Sequence, residues 1–117
     1  MDENAKPIKL LISIVNRGKG EKVKELLGTR GIKYHLICLG YGTADSDILD
    51  YLGLGEIDKD IVLSVMEAQK VPEALDILSE KLHFSIPGNG IAFSIPINSV
   101  DGLSTLKNLT GLLRKEQ

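Results

Sequence analysis

The chain is poor in the residues that staple small proteins or bind metal ions in them. Among its 117 residues there is one cysteine, Cys38, and there are two histidines, His35 and His83. A single cysteine builds neither a disulfide framework nor a cysteine-rich zinc site. Tryptophan is absent and only two phenylalanines and three tyrosines occur, so aliphatic side chains must supply the core. Neither sign of charge dominates. The 14 basic and 16 acidic residues leave a formal charge of -2, which excludes bulk attraction to nucleic acid or to an anionic membrane surface. No apolar run approaches the ~20 residues of a membrane-spanning helix. The first residues do not combine a basic stretch, an apolar run and a small-residue cleavage site, and the expectation is a cytoplasmic protein.

The chain is nevertheless 43% hydrophobic, enough for one core at this length. A single domain is expected over residues 1–117, with a disordered start at 1–6 and a helical tail at 103–117. Residues 7–15 (PIKLLISIV) are dense in β-branched and aliphatic side chains and end in the turn Asn16-Arg17-Gly18-Lys19-Gly20, which predicts a first strand. Val23, Leu26 and Leu27 then share a helical stripe that Gly31 can terminate. Residues 32–39 return to an extended apolar pattern and stop at Gly40-Tyr41-Gly42. A polar loop follows, in which Asp45 or Ser46 can cap a short helix, DILDYL. Residues 60–68 predict a third strand. Val71, Leu75, Leu78 and Leu82, with Pro72 near the start, predict a second main helix. Gly88-Asn89-Gly90 turns into IAFSIPI, the fourth strand, and leucines at 103, 106, 109, 112 and 113 mark an appended amphipathic helix. The order βαββαβ is that of a ferredoxin-like α+β sandwich.

Alternation divides each strand between two faces. One set is uniformly apolar: Ile8, Leu10, Ile12 and Ile14; Ile61, Leu63 and Val65; Ile91, Phe93, Ile95 and Ile97. It is expected beneath the helices. The other set holds Lys9, Leu11, Ser13 and Val15; His35, Ile37 and Leu39; Val62, Ser64 and Met66; Ala92, Ser94 and Pro96. It is too apolar for water, so a second copy of the chain is expected to cover it, and Ser64→Arg is expected to dissociate or unfold the assembly.

Eight of the 12 glycines form the pairs Gly18/Gly20, Gly40/Gly42, Gly53/Gly55 and Gly88/Gly90. Such pairs can let successive backbone N–H groups converge on an anion, although tight turns also use them for steric reasons alone. His35 and Cys38 lie three apart on a strand and so face opposite ways, a poor metal pair. The acids Asp45, Asp47, Asp50, Glu56 and Asp58 lack the spacing of a calcium loop. Nothing in the pattern points to a catalytic constellation, and no enzyme activity is expected.

VKELLGTRGI followed by strand two and Gly-Tyr-Gly, and later Gly-Asn-Gly followed by IAFSIPINSV, resembles the nitrogen-regulatory PII signalling family over roughly residues 8–100. The resemblance implies a homotrimer with sheets facing inward. It also implies a small anionic effector, such as an adenine nucleotide, held in clefts between subunits by Gly40, Tyr41, Gly42, Thr43, Gly88, Asn89 and Gly90. Signalling to a target protein would run through the loop at 43–59. The chain departs from the family in having Ile91 where a lysine follows the second glycine, and no arginines after the last strand, where it reads Val100-Asp101-Gly102-Leu103. Those cations offset much of a triphosphate's charge, so weak ATP binding is expected. The alternative is a trimeric divalent-metal-binding protein of the CutA type, which shares the architecture. A third reading is a structural module whose C-terminal tail docks on a partner.

Overall fold

The computed structural model describes residues 7–41 and 58–99. The start at 1–6, the tail at 103–117, Gly42, Thr43, the DILDYL helix and the Gly53/Gly55 pair lie outside the described residues.

Strand β1 spans Ile8–Asn16, helix α1 Gly20–Gly28 and strand β2 Tyr34–Tyr41. Strand β3 spans Asp58–Glu67, and a 3-10 turn at Ala68–Lys70 leads into helix α2, Val71–Leu82. Strand β4 spans Gly90–Pro96. The sheet order is β2-β3-β1-β4, with every neighbouring pair antiparallel. Two β-α-β units therefore interleave, giving the α+β ferredoxin-like sandwich that the element order implied. The C-terminal ends of β1 and β2 and the N-terminal ends of β3 and β4 all meet at one edge of the molecule.

Helix α1 buries Val23, Leu26 and Leu27, the expected stripe. It stops where Gly31 adopts φ +77° and the Ile32 N–H reaches back to the Leu27 carbonyl, a left-handed termination that a glycine makes without strain. Helix α2 accepts Pro72 in its first turn, where a missing N–H breaks no helical bond. Its buried stripe is Val71, Ala74, Ile77 and Leu78, while Leu75 and Leu82 pack at the margin. The stripe is thus rotated slightly from the one read off the leucines alone.

The core reverses the expected assignment of the sheet faces. Leu11, Val15, Val62 and Met66 are at most 1% exposed and pack with Val23, Leu27, Ala74 and Leu78 of the helices. Ser13 and Ser64 are fully buried on the same side. The central part of the mixed set therefore lies beneath the helices, although Leu39 is 74% exposed, and the uniformly apolar set faces outward except for the buried Ile8. The reason is volume: two helices already bring large leucines to the layer, and serine or alanine on the strands lets them settle close. Leu11, Val62 and Met66 are core residues and not interface residues, and Ser64→Arg would drive a charge into the core.

The open face carries Leu10, Ile12 and Ile14, Leu63 and Val65, with Leu36 60%, Phe93 43% and Ile95 42% exposed. Four strands at ~4.8 Å spacing and about seven residues at ~3.4 Å each make a surface of roughly 450 Å². That matches the largest apolar patches on monomeric proteins, which are often functional.

Candidate functional site

The edge where β1 and β2 end and β3 and β4 begin gathers three of the glycine motifs. Pairing sets Val15 opposite Asp60 and Gly90, Asn16 opposite Lys59, Gly40 opposite Lys59, and Tyr41 opposite Asp58. Gly40 and Tyr41 are thus the last residues of β2 and not a free turn, and Tyr41 is largely exposed at 72%. Asp58 and Lys59, expected in the loop, already belong to β3.

The turn between β1 and α1 is organised around Asp60. Its Oδ2 accepts the backbone N–H groups of Gly18 and Gly20, both at 2.9 Å. The first glycine pair does make amides converge on an anion, but the anion is the chain's own buried carboxylate. A Cβ at Gly20 would stand 2.9 Å from that oxygen, so only glycine lets the carboxylate approach so closely. The contact sits at the start of α1, where a negative charge also meets the helix dipole favourably. Arg17 lies beside it, with Nε 3.3 Å from Asp60 Oδ1.

Arg17 also donates from Nη2 to the Gly40 carbonyl at 2.7 Å and from Nε to the Lys59 carbonyl at 3.2 Å. One side chain thereby ties the first turn to the last pairing of β2 with β3. The buried Lys59 donates from Nζ to Asn16 Oδ1 at 2.7 Å, and Asn16 Nδ2 donates to the Gly88 carbonyl at 3.1 Å. Arg17, Asn16, Lys59 and Asp60 form one polar network joining β1, β2 and β3 to the turn before β4 at this edge. Asp60 carried no sequence signal for this role, because only the pairing of β1 with β3 brings it to a turn some 40 residues away.

The Gly88-Asn89-Gly90 segment has defined structural duties. Gly88 adopts φ +92° and Gly90 φ +143°. A Cβ at Gly90 would meet the Ile14 carbonyl oxygen at 2.8 Å, a backbone atom with little room to retreat. Asn89 Nδ2 donates to the Leu82 and His83 carbonyls at 3.3 and 3.1 Å, capping the C-terminal end of α2. His83 itself takes the left-handed conformation there, with φ 55°. Ile91 pairs with Ile14 on the open face and adds to the apolar surface.

His35 is a structural residue. Its Nε2 stands 2.9 Å from the Ile32 carbonyl, which can only accept, so Nε2 carries the hydrogen and Nδ1 accepts from the Ser64 hydroxyl at 2.8 Å. Burial pushes the imidazole below its ordinary value of 6.5, the Ile32 carbonyl opposes that, and Lys24 adds a smaller push in the same direction as burial. A lowered folded value means that the unfolded chain takes up the proton more readily, so stability is fully present above pH 6.5 and falls as the pH drops below it. Urea midpoints measured between pH 7.5 and 5 should fall with acidity, and His35→Gln should flatten the part of that slope that His35 causes. An unchanged slope would show that His35 does not contribute. Cys38 is half-exposed on the open face.

Among the described residues no three His, Cys, Asp or Glu side chains are placed to hold a metal ion. No helix among them is long and apolar enough to cross a membrane.

The topology defines the class as the ferredoxin-like α+β fold. Among solved structures, CPII from Thiomonas intermedia K12, bound to ADP, AMP and acetate, matches with a TM-score of 0.60 and 17% identity, over 82% of this chain and 93% of that one. A functionally unknown protein from Pediococcus pentosaceus ATCC 25745 matches with a TM-score of 0.60 and 15% identity, over 84% of this chain and 99% of that one. No family model and no curated protein matches the sequence. At such identities the likeness establishes the fold.

Proposed function

We propose that the chain is a PII-like regulatory protein and not an enzyme. It assembles as a homotrimer with the open sheet faces inward, and it binds a small anionic effector between subunits. The observation that carries this reading is the pairing of two features on a ferredoxin-like fold: a largely apolar open face, and Gly40, Tyr41 and the segment 88–90 at one edge. The binding residues are Gly40, Tyr41, Gly42, Thr43, Gly88, Asn89 and Gly90, and segment 43–59 carries the signal to a target protein. Adenine nucleotides are the first effectors to test, because the CPII neighbour is bound to ADP and AMP. The metal-binding alternative has no described ligand cluster to favour it.

A thermal-stability screen against ATP, ADP, AMP, carboxylates and divalent metals tests the proposal. An effector present at 100 times its dissociation constant stabilises by about 2.7 kcal/mol. The expected result is a concentration-dependent rise with a small anion, and no rise with any of them would contradict the reading. With Ile91 in place of a lysine and no arginines at 100–103, each missing charge-assisted bond forfeits about 1.5–3 kcal/mol. Calorimetry should therefore place ATP affinity far weaker than low-micromolar. Tight ATP binding would overturn that part of the account.

A further inference from the structure

A second cleft lies away from the open face, on the helix side of the same edge. It has a volume of about 260 Å³ and is walled by Lys19 from the first turn, by Lys81 and His83 from the end of α2, and by Asn89, over a floor of Val15 and Leu82. None of these side chains is acidic. Among the described residues Lys19 pairs with no carboxylate, and Lys81 has only the exposed Glu80 at 3.9 Å. A chain of net charge -2 thus sets two ammonium groups and an imidazole around one concavity.

The end of α2 would ordinarily repel an anion, because its last carbonyls carry partial negative charge. Here Asn89 donates to the Leu82 and His83 carbonyls, and the Phe84 N–H takes that of Ser79. The start of α1 is already filled by the Asp60 carboxylate, so the cleft's attraction comes from its side chains. Two ammonium groups match the charge of a phosphate dianion better than that of a single carboxylate. The apolar floor and the spare volume fit an organic group attached to it.

We infer that this cleft binds a small phosphate monoester. The site is complete within one chain and shares only Asn89 with the residues proposed for the clefts between subunits. Lys19 and Lys81 hold the phosphate oxygens, and Val15 and Leu82 receive the organic part.

Glycerol 3-phosphate, inorganic phosphate and glycerol can be titrated into the full-length protein and followed by amide chemical shifts. Glycerol 3-phosphate should shift Lys19, Leu82, His83 and Asn89 saturably, inorganic phosphate should do so more weakly, and glycerol should do nothing. The Lys19→Ala/Lys81→Ala variant should bind glycerol 3-phosphate at least tenfold more weakly at unchanged thermal stability. Lys22→Ala/Lys24→Ala, which alters the outer face of α1, should bind it as the wild type does. Absence of saturable shifts at these residues, or equal affinity in the Lys19/Lys81 variant, would overturn the inference. An AMP titration that shifts Gly40 and Tyr41 while glycerol 3-phosphate shifts nothing would overturn this site and leave the effector cleft between subunits standing.

Discussion

Asp60→Ala should destabilise the protein by about 3 kcal/mol, because it strips charged hydrogen bonds from two backbone amides and leaves a neighbouring guanidinium without its counter-charge. The side chain is 8% exposed, and its Oδ2 binds the Gly18 and Gly20 amides. At this chain length such a loss lowers the melting temperature by roughly 10 °C. Asp60→Asn keeps an acceptor for the amides but removes the charge, so it should fall between the wild type and alanine. Thermal unfolding followed by circular dichroism reads both values. A melting temperature within 2 °C of the wild type in the alanine variant would show that the turn is held by other means.

Leu63→Lys and Ser64→Arg should fail in opposite ways although they are adjacent. Leu63 lies on the open face, so a lysine there should leave the single chain folded and prevent it from assembling. Ser64 is fully buried and donates to His35 Nδ1, so an arginine there should unfold the chain, at a cost above about 4 kcal/mol. Circular dichroism with sedimentation velocity separates the two outcomes. A folded Ser64→Arg protein, or an assembled Leu63→Lys protein, would contradict the placement of the two faces.

The elements were legible because each strand and helix follows its own hydrophobic period. Val23, Leu26 and Leu27 announce α1, Gly31 ends it, and the order βαββαβ fixes the class. The faces were misread for an identifiable reason. Choosing the more apolar side of a strand as the core side assumes that only one side is ever buried. Ser13 and Ser64 sit beneath the helices because the helices supply the bulk, and Ile12, Leu63 and Phe93 lie on the side left open in the single chain. At the edge, the glycine pairs were legible and their partners were not. Nothing local in Gly18-Lys19-Gly20 says that its amides bind a carboxylate some 40 residues away, and only the register of β1 with β3 brings Asp60 there. Asn89 was read for its place between glycines, whereas its side chain serves the end of α2.

The central claim is that the open apolar face is covered by further copies of the chain. The molar mass of the wild-type protein at micromolar concentration, measured by light scattering after size exclusion, tests this most directly. Three chains of 12.7 kDa give about 38 kDa, the value the account predicts. A stable monomer of 12.7 kDa across that concentration range would contradict it.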